Sequence, residues 1–254
     1  MTIEVVSEAG VQTIRFNRPE KKNAITSAMY DALADAIEKG DASDDICVQL
    51  FVGRDGSFTA GNDIGEFLTF ASEGALGKPV LRFLHALANA KKPLVSAVDG
   101  LAIGVGATML FHCDLVYATE SSIFHTPFLD LGLVPEAASS LLFPRVMGYH
   151  RAFEMLCLGK RFSAERACTA GFVNEIVASE DLEPYARQAA LQLATKPPEA
   201  LAMARALVRG DAHETCTRID EEAVMFADRL ASHEAREAFT AFIEKRPASF
   251  QKPR

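Results

Sequence analysis

The feature that most constrains the fold of this chain is a regular alternation of strand-like and helix-like stretches, which continues to about Val177. Residues 3–6 and 11–16 flank a short polar turn and predict a β-hairpin. Residues 27–39 place apolar side chains three and four positions apart, which predicts a helix with one buried side. Strands that alternate with helices are typical of an α/β core.

The pattern changes at Lys196-Pro197-Pro198. Strand signals end there, and helical patterns follow over residues 199–208, 216–231 and 234–245. The apolar residues at helical spacing in this part predict packing against another helix, either of the same subunit or of a neighbouring one. These residues are Ile219, Ala223, Phe226 and Leu230.

Residues 58–64 suggest a place where the backbone could approach a ligand closely, because small residues there follow an apolar run at residues 48–52. A side chain at Gly61 would crowd such an approach, while Ala60 still offers its N–H group. The acidic Asp63 argues against a phosphate cradle. Taken alone, the segment is more typical of a plain turn.

Residues 93–106 read as a buried strand, a glycine turn and the start of a helix. The first N–H groups of a helix lack internal partners, so a negative oxygen near Val105 or Gly106 would be stabilised. The alternative is that the glycines only permit tight packing. Their spacing differs from G-x-G-x-x-G, and the chain contains no G-x-x-x-x-G-K-[ST], so nucleotide phosphates are not indicated.

These two segments, together with residues 17–24 and 242–247, resemble the crotonase superfamily over essentially the whole chain. Residues 61–63 and 124–140 are most similar to its type-two 3-enoyl-CoA to 2-enoyl-CoA isomerases. The resemblance implies an α/β fold with a crotonase-like spiral of repeated strand-strand-helix units. We expect this spiral core and its acyl-CoA site over residues 1–195, and a C-terminal helical oligomerisation segment over residues 196–254.

The resemblance also implies how a substrate would be held. The carbonyl oxygen of a coenzyme A thioester is expected in an oxyanion hole formed by the backbone N–H groups of Ala60 and Val105. The residues expected to bind the coenzyme A part are Lys22, Ala24, Asn62, Asp63 and Ile64.

The catalytic carboxylate expected from the resemblance is Glu136. Hydratases of the family need a pair of glutamates, and the matching positions hold Thr108 and Phe128, which cannot transfer the proton. Isomerases of the type-two pattern keep one glutamate at the position of Glu136, where it can remove an α proton and return one to the γ carbon. Its apolar sequence neighbours predict burial and a raised pKa.

Other residues are weaker candidates for a catalytic role. Asp130 could face the same pocket, although in an extended segment it would point toward solvent. We expect Asp114 to form a structural hydrogen bond, and Asp63 and Glu66 to cap the helix that begins there. His125 at a strand end is expected to be a packed residue.

Three functions remain open. The leading hypothesis is an enoyl-CoA isomerase that shifts 3-enoyl-CoA thioesters to trans-2-enoyl-CoA in fatty acid metabolism through Glu136. The second is an enoyl-CoA hydratase or another crotonase-type acyl-CoA enzyme, and the third is a noncatalytic acyl-CoA-binding protein. The resemblance also implies a homotrimer or hexamer, and Phe250 is a candidate for ligand contact.

Charge and motif content limit the classes of ligand and partner that this chain is expected to bind. The net charge of -8 argues against nucleic-acid and anionic-membrane binding. Neither H-E-x-x-H nor C-x-x-C occurs, so we expect no metal, and no cofactor is expected because coenzyme A is part of the substrate. The five cysteines show no paired spacing, and no secretory leader is recognised at the start of the sequence. Both observations lead us to expect a cytoplasmic protein.

Overall fold

The computed structural model describes residues 2–63, 65–66 and 77–250. The strands in these ranges are β1 (Ile3–Glu8), β2 (Val11–Phe16), β3 (Val48–Val52), β4 (Ser57–Thr59), β5 (Leu94–Val98), β6 (Leu101–Ile103), β7 (Leu115–Ala118), β8 (Ile123–His125), β9 (Phe162–Ser163) and β10 (Glu175–Ile176). The α-helices are α1 (Ser27–Ala42), α2 (Lys78–Asn89), α3 (Val105–Thr108), α4 (Ser139–Met147), α5 (Tyr149–Leu156), α6 (Ala164–Ala170), α7 (Leu182–Ala194), α8 (Pro198–Arg209), α9 (Ala212–Leu230) and α10 (His233–Ile243).

The strands form two sheets. The first has the order β1-β2-β3-β5-β7-β10, and all its pairs are parallel except the β1–β2 hairpin. The second has the order β4-β6-β8-β9, with β8 and β9 antiparallel. The chain therefore adds one strand to the first sheet, one to the second and then a helical stretch, three times over. This is the predicted spiral of strand-strand-helix units.

The inner strands are apolar because both of their faces are covered. All five residues of β3 and all five of β5 are buried, as expected for parallel strands between helices. The one long polar side chain in β3, Gln49, is satisfied by donating to the Ile37 carbonyl oxygen and to the Asp41 carboxylate, each at 3.1 Å. Gln49 thus faces α1, and the opposite face of the first sheet is covered by α7.

The glycine turn in residues 93–106 contains an element that the sequence did not predict. Gly100 has a φ of 68°, and a Cβ there would lie 1.9 Å from the Gly56 carbonyl oxygen. The chain therefore turns sharply at Gly100 and begins β6 before it reaches α3. The predicted single strand is in fact two short strands, one in each sheet.

The C-terminal helices match the predicted helical patterns to within a few residues. Ile219, Phe226 and Leu230 are buried, and this side of α9 packs against other elements of its own chain. Helix α10 lies on the 3-10 turn Leu129–Leu131, and Gly132 meets its first turn so closely that a Cβ would lie 2.7 Å from the Ala235 nitrogen. No helix in the described ranges is long and apolar enough to cross a membrane.

Candidate active site

A cavity of about 510 Å³ lies between the second sheet and the C-terminal helices. Most of its lining is apolar, including Ile103, Phe128 and Leu133 on the core side. Glu136 is also on its wall, together with residues 60–62 and Val105. A concave apolar site with a few convergent polar groups is the usual form of a small-molecule site.

Glu136 is held on the cavity wall by a strained stretch of backbone. Ala137 and Ala138, which follow it, both have left-handed φ angles, of 60° and 56°. Such angles cost a non-glycine residue of order 1 kcal/mol or more. The strain is opposed by hydrogen bonds, because His112 Nε2 donates to the Ala137 carbonyl oxygen at 2.8 Å and Ser139 N–H donates to the Glu136 carbonyl oxygen at 3.0 Å. Local geometry thus fixes where the carboxylate stands.

The carboxyl group of Glu136 is in a nearly dry position. The residue is only 6% exposed, and burial raises its pKa from 4.5 to about 8. The Thr108 hydroxyl donates to Oε1 at 2.5 Å and opposes this rise, while Glu222 adds to it. The burial and raised pKa expected from the sequence are confirmed. A carboxyl group with a pKa near neutrality can both accept and return a proton.

Two further ionisable residues stand behind the cavity wall. Glu222 of α9 is buried and accepts from the Ser140 backbone N–H at 2.9 Å, so it helps to anchor the start of α4 just after Glu136. Tyr30 of α1 is buried and donates to Asn62 Oδ1 at 2.6 Å. Burial and the nearby Glu136 raise the pKa of Tyr30 well above its usual value, so it stays a neutral donor.

One predicted oxyanion donor is free and the other is not. The Val105 N–H begins α3 and bonds to no residue that the structure describes. The Ala60 N–H donates to the Lys22 carbonyl oxygen at 2.9 Å, which contradicts the prediction that Ala60 supplies a free donor. Two residues on, the Asn62 N–H has no hydrogen-bond partner within the described ranges. Both Asn62 and Val105 line the cavity.

The strand-like pairing of Asn62 explains this shift of two residues. Ile25 N–H donates to the Gly61 carbonyl oxygen at 2.8 Å, and Asp63 N–H donates to the Ile25 carbonyl oxygen at 2.9 Å. In an extended segment the N–H groups of successive residues point in opposite directions. The Asn62 N–H therefore points away from Ile25.

The residues expected to bind coenzyme A come together where residues 22–25 meet residues 60–63. Lys22 is exposed and has a left-handed φ of 51°, and the Ala24 carbonyl oxygen accepts from Arg18 at 3.0 Å. Arg18 also forms an ion pair of 2.7 Å with Asp63. Asp63 Oδ1 accepts from the Gly65 and Glu66 N–H groups, as a helix cap. Ile64 lies outside the described residues.

Two of the other predicted roles need correction. Glu66 does not cap its own helix, since its Oε2 accepts from the Ser27 N–H at 2.5 Å at the start of α1. Asp130 is part of a 3-10 turn and not of an extended segment, and it is exposed yet lines the cavity. Asp114 does have the expected structural role, because it accepts from the Leu94 N–H at 2.7 Å and pairs with Arg205.

Nothing in the sequence indicated that the C-terminal helices would line the cavity of their own chain. Phe226 of α9 and Phe239 and Phe242 of α10 line it, and Arg246 stands beyond the end of α10. Phe250 is not among the described residues of the lining. His125, expected to be only a packed residue, is on the wall, with Nε2 donating to the Gly159 carbonyl oxygen at 3.0 Å.

Comparison with known sequences agrees with this architecture. A sequence model of the enoyl-CoA hydratase/isomerase family matches residues 6–253. The chain belongs to this family. The resemblance to the crotonase superfamily noted from the sequence is thereby confirmed.

Individual relatives within the family include enzymes of more than one kind. The chain is 37% identical over 252 residues to enoyl-CoA delta isomerase 2 of Rattus norvegicus, an alignment that covers 96% of this chain and 64% of that protein. It thus spans less than two thirds of the length of the rat relative. It is 35% identical over 252 residues to 1,2-epoxyphenylacetyl-CoA isomerase of Escherichia coli, covering 96% of this chain and 95% of that one.

A solved structure confirms the fold. The crystal structure of an enoyl-CoA hydratase/isomerase from Pseudoalteromonas atlantica superposes on this chain with a TM-score of 0.94 and 39% sequence identity. The superposition covers 99% of this chain and 100% of that chain. Both the spiral core and the C-terminal helices are therefore part of a known family architecture.

Proposed function

We propose that this protein is an isomerase that shifts the double bond of 3-enoyl-CoA thioesters to the trans-2 position. The observation that carries the proposal is the buried carboxyl group of Glu136, which has a pKa of about 8 and lies on the wall of an apolar cavity. The same cavity presents two backbone N–H groups that have no partner among the described residues. Relatives named enoyl-CoA delta isomerase support the same assignment.

The chemistry follows from these groups. The Glu136 carboxylate removes a proton from the α carbon, and the electrons of that C–H bond move toward the thioester to give a dienolate. Its negative oxygen is stabilised by hydrogen bonds from the N–H groups of Val105 and Asn62, each of which is worth about 3 kcal/mol in a dry site. The same carboxyl group then gives the proton to the γ carbon, and the double bond ends between the α and β carbons.

The choice of Asn62 over Ala60 as the first donor belongs to this proposal. Ala60 N–H could bind a ligand only if its hydrogen bond to the Lys22 carbonyl oxygen were broken, at a cost of about 1 kcal/mol or more. Asn62 N–H needs no such change. Tyr30 supports the residue by binding its side chain.

The cavity favours isomerisation over hydration. Addition of water needs a second acid-base group, and the two matching positions hold Thr108, which is bonded to Glu136, and the apolar Phe128. The apolar lining suits a hydrocarbon acyl chain, and the proposed chemistry requires no cofactor or metal. Coenzyme A would leave the cavity at the meeting point of residues 22–25 and 60–63, with Asn62 next to its thioester end, Lys22 near its phosphates, and Ala24, Asp63 and Ile64 near its adenine end.

We further propose that the chain forms a homotrimer or hexamer through its C-terminal segment, residues 196–254. The side of α9 that was a candidate for this contact is used within the subunit. Large apolar residues remain exposed on other sides of α8 and α9, which supports an interface there. They are Met203, Leu207, Val208, Val224 and Met225.

The test is conversion of a purified 3-enoyl-CoA, followed by chromatography of the products with wild-type protein and with Glu136→Gln. Glutamine keeps the size of the side chain and can still accept the Thr108 hydrogen bond, but it cannot accept a substrate proton. Asp130→Asn is the matched control, because among the described residues Asp130 is the other carboxylate on the cavity wall.

We expect trans-2-enoyl-CoA from the wild type and from Asp130→Asn, and a loss of at least about 1000-fold in Glu136→Gln. A hydroxylated product or free coenzyme A would replace the proposal with another crotonase-type reaction. Binding of acyl-CoA without any product in all three proteins would show a noncatalytic binding protein.

A further inference from the structure

The Thr108 hydroxyl donates a hydrogen bond to the side chain of the proposed base, Glu136. Thr108 is fully buried, and its Oγ1 lies 2.5 Å from Glu136 Oε1. The same Oγ1 lies 3.4 Å from the carbonyl oxygen of Val105, one turn earlier in α3. The hydroxyl is therefore close both to the carboxyl group and to the first turn of α3, whose Val105 N–H has no partner in the part of the chain that the structure describes.

A hydroxyl group has one proton to donate and lone pairs that accept. When Glu136 is a carboxylate, Thr108 donates its proton to Oε1. When Glu136 carries the substrate proton on Oε2, Oε1 is the carbonyl oxygen of the acid and still accepts from the Thr108 hydroxyl. Both states of the carboxyl group are thus satisfied without movement of the backbone.

We propose that Thr108 is a positioning residue that holds Oε1 of Glu136 in both protonation states and so leaves Oε2 as the oxygen that meets the substrate. The catalytic part of this inference rests on the proposed function. The contact between Thr108 and Glu136 does not depend on it. Oε2 has no hydrogen bond within the described part of the chain, while Glu136 borders the cavity. A buried threonine that only filled space would need no hydroxyl.

The matched variants are Thr108→Val, which keeps the shape and removes the hydroxyl, and Thr108→Ser, which keeps the hydroxyl. The other ionisable groups that face Glu136, bond its loop or share its cavity are unchanged in both. In the described ranges these are Glu222, Tyr30, His112, His125, Asp130 and Arg246.

The first measurement is independent of the reaction. Infrared spectra of the unliganded protein are recorded across pH, and the carbonyl band of protonated Glu136 is assigned by its absence from Glu136→Gln. Removal of a hydrogen bond to a charged group disfavours the carboxylate, so Thr108→Val should raise the titration midpoint by about one pH unit. Thr108→Ser should stay within about 0.3 unit of the wild type. Equal midpoints in all three proteins would overturn the inference.

The second measurement follows isomerisation. In Thr108→Val we expect kcat to fall at least about tenfold, with KM changed less than about twofold. The acidic limb of its pH profile of kcat should move to higher pH by about one unit, as the infrared midpoint does. Thr108→Ser should keep most of the rate. A Thr108→Ala variant serves if the valine protein does not fold. Absence of isomerisation in the wild type would contradict the proposed function alone, since the infrared titration still decides the role of Thr108.

Discussion

Burial of Glu136 has a cost in stability that can be measured. In the unfolded chain this carboxyl group titrates near its ordinary pKa of 4.5, whereas in the folded protein its pKa is about 8. Because the pKa is raised in the folded state, the free energy of unfolding is highest below the pKa of the unfolded chain. It falls as the pH rises from there to the pKa of the folded protein. The difference of 3.5 units corresponds to about 5 kcal/mol at 1.36 kcal/mol per unit.

Replacement by glutamine removes this cost because glutamine does not ionise. We expect Glu136→Gln to have nearly the stability of the wild type near pH 5 and to be more stable near pH 9. About 4 kcal/mol of the total loss falls between these two pH values, and above pH 9 the difference should level off. The variant that is expected to lose activity would then be the more stable protein near pH 9.

The assay is urea unfolding at both pH values, at one protein concentration so that any self-association affects each sample equally. The exposed Glu180→Gln is the control for a loss of charge at the surface. If the extra stability of Glu136→Gln changed by less than about 1 kcal/mol between pH 5 and pH 9, the carboxyl group would not be desolvated, and the argument for its basicity would fail.

Three further predictions concern residues that support or line the cavity. Gly132→Ala places a Cβ 2.7 Å from the Ala235 nitrogen, so we expect a loss of about 2 kcal/mol and faster hydrogen exchange in α10 by mass spectrometry. Asn23→Ala removes the donor that binds the buried Ser57 carbonyl oxygen at 2.7 Å, and urea unfolding should show a loss of about 2–3 kcal/mol. Ala238→Leu fills part of the cavity and should raise KM for long acyl chains more than for short ones in steady-state assays; equal changes would place the chain elsewhere.

Much of the fold could be predicted because it depends on local patterns. The alternation of strands and helices, the hairpin at the start and the three C-terminal helices all follow from apolar spacing and from breaks at glycine and proline. Strand β6 was missed because three residues are too few to show a period. Its presence depends on the close contact of Gly100 with Gly56, which are far apart in the sequence.

The site was predicted less completely for a similar reason. Glu136 could be singled out because the resemblance to the family includes its position. The direction of a backbone N–H is set by the partner of an extended segment, and nothing near Ala60 shows that Asn62 pairs with Ile25. The bond between Thr108 and Glu136 joins residues 28 positions apart, so the sequence showed only that a second glutamate was missing.

Helix α10 gives the cavity a wall that is synthesised after the whole of the spiral core. A ribosome must complete residues up to about Arg246 before Phe239, Phe242 and Arg246 can close the site over Glu136. Until then this side of the cavity is open to water. A nascent or truncated chain that ends near Leu230 would therefore have Glu136 but lack part of the dry surroundings that raise the pKa of its carboxyl group.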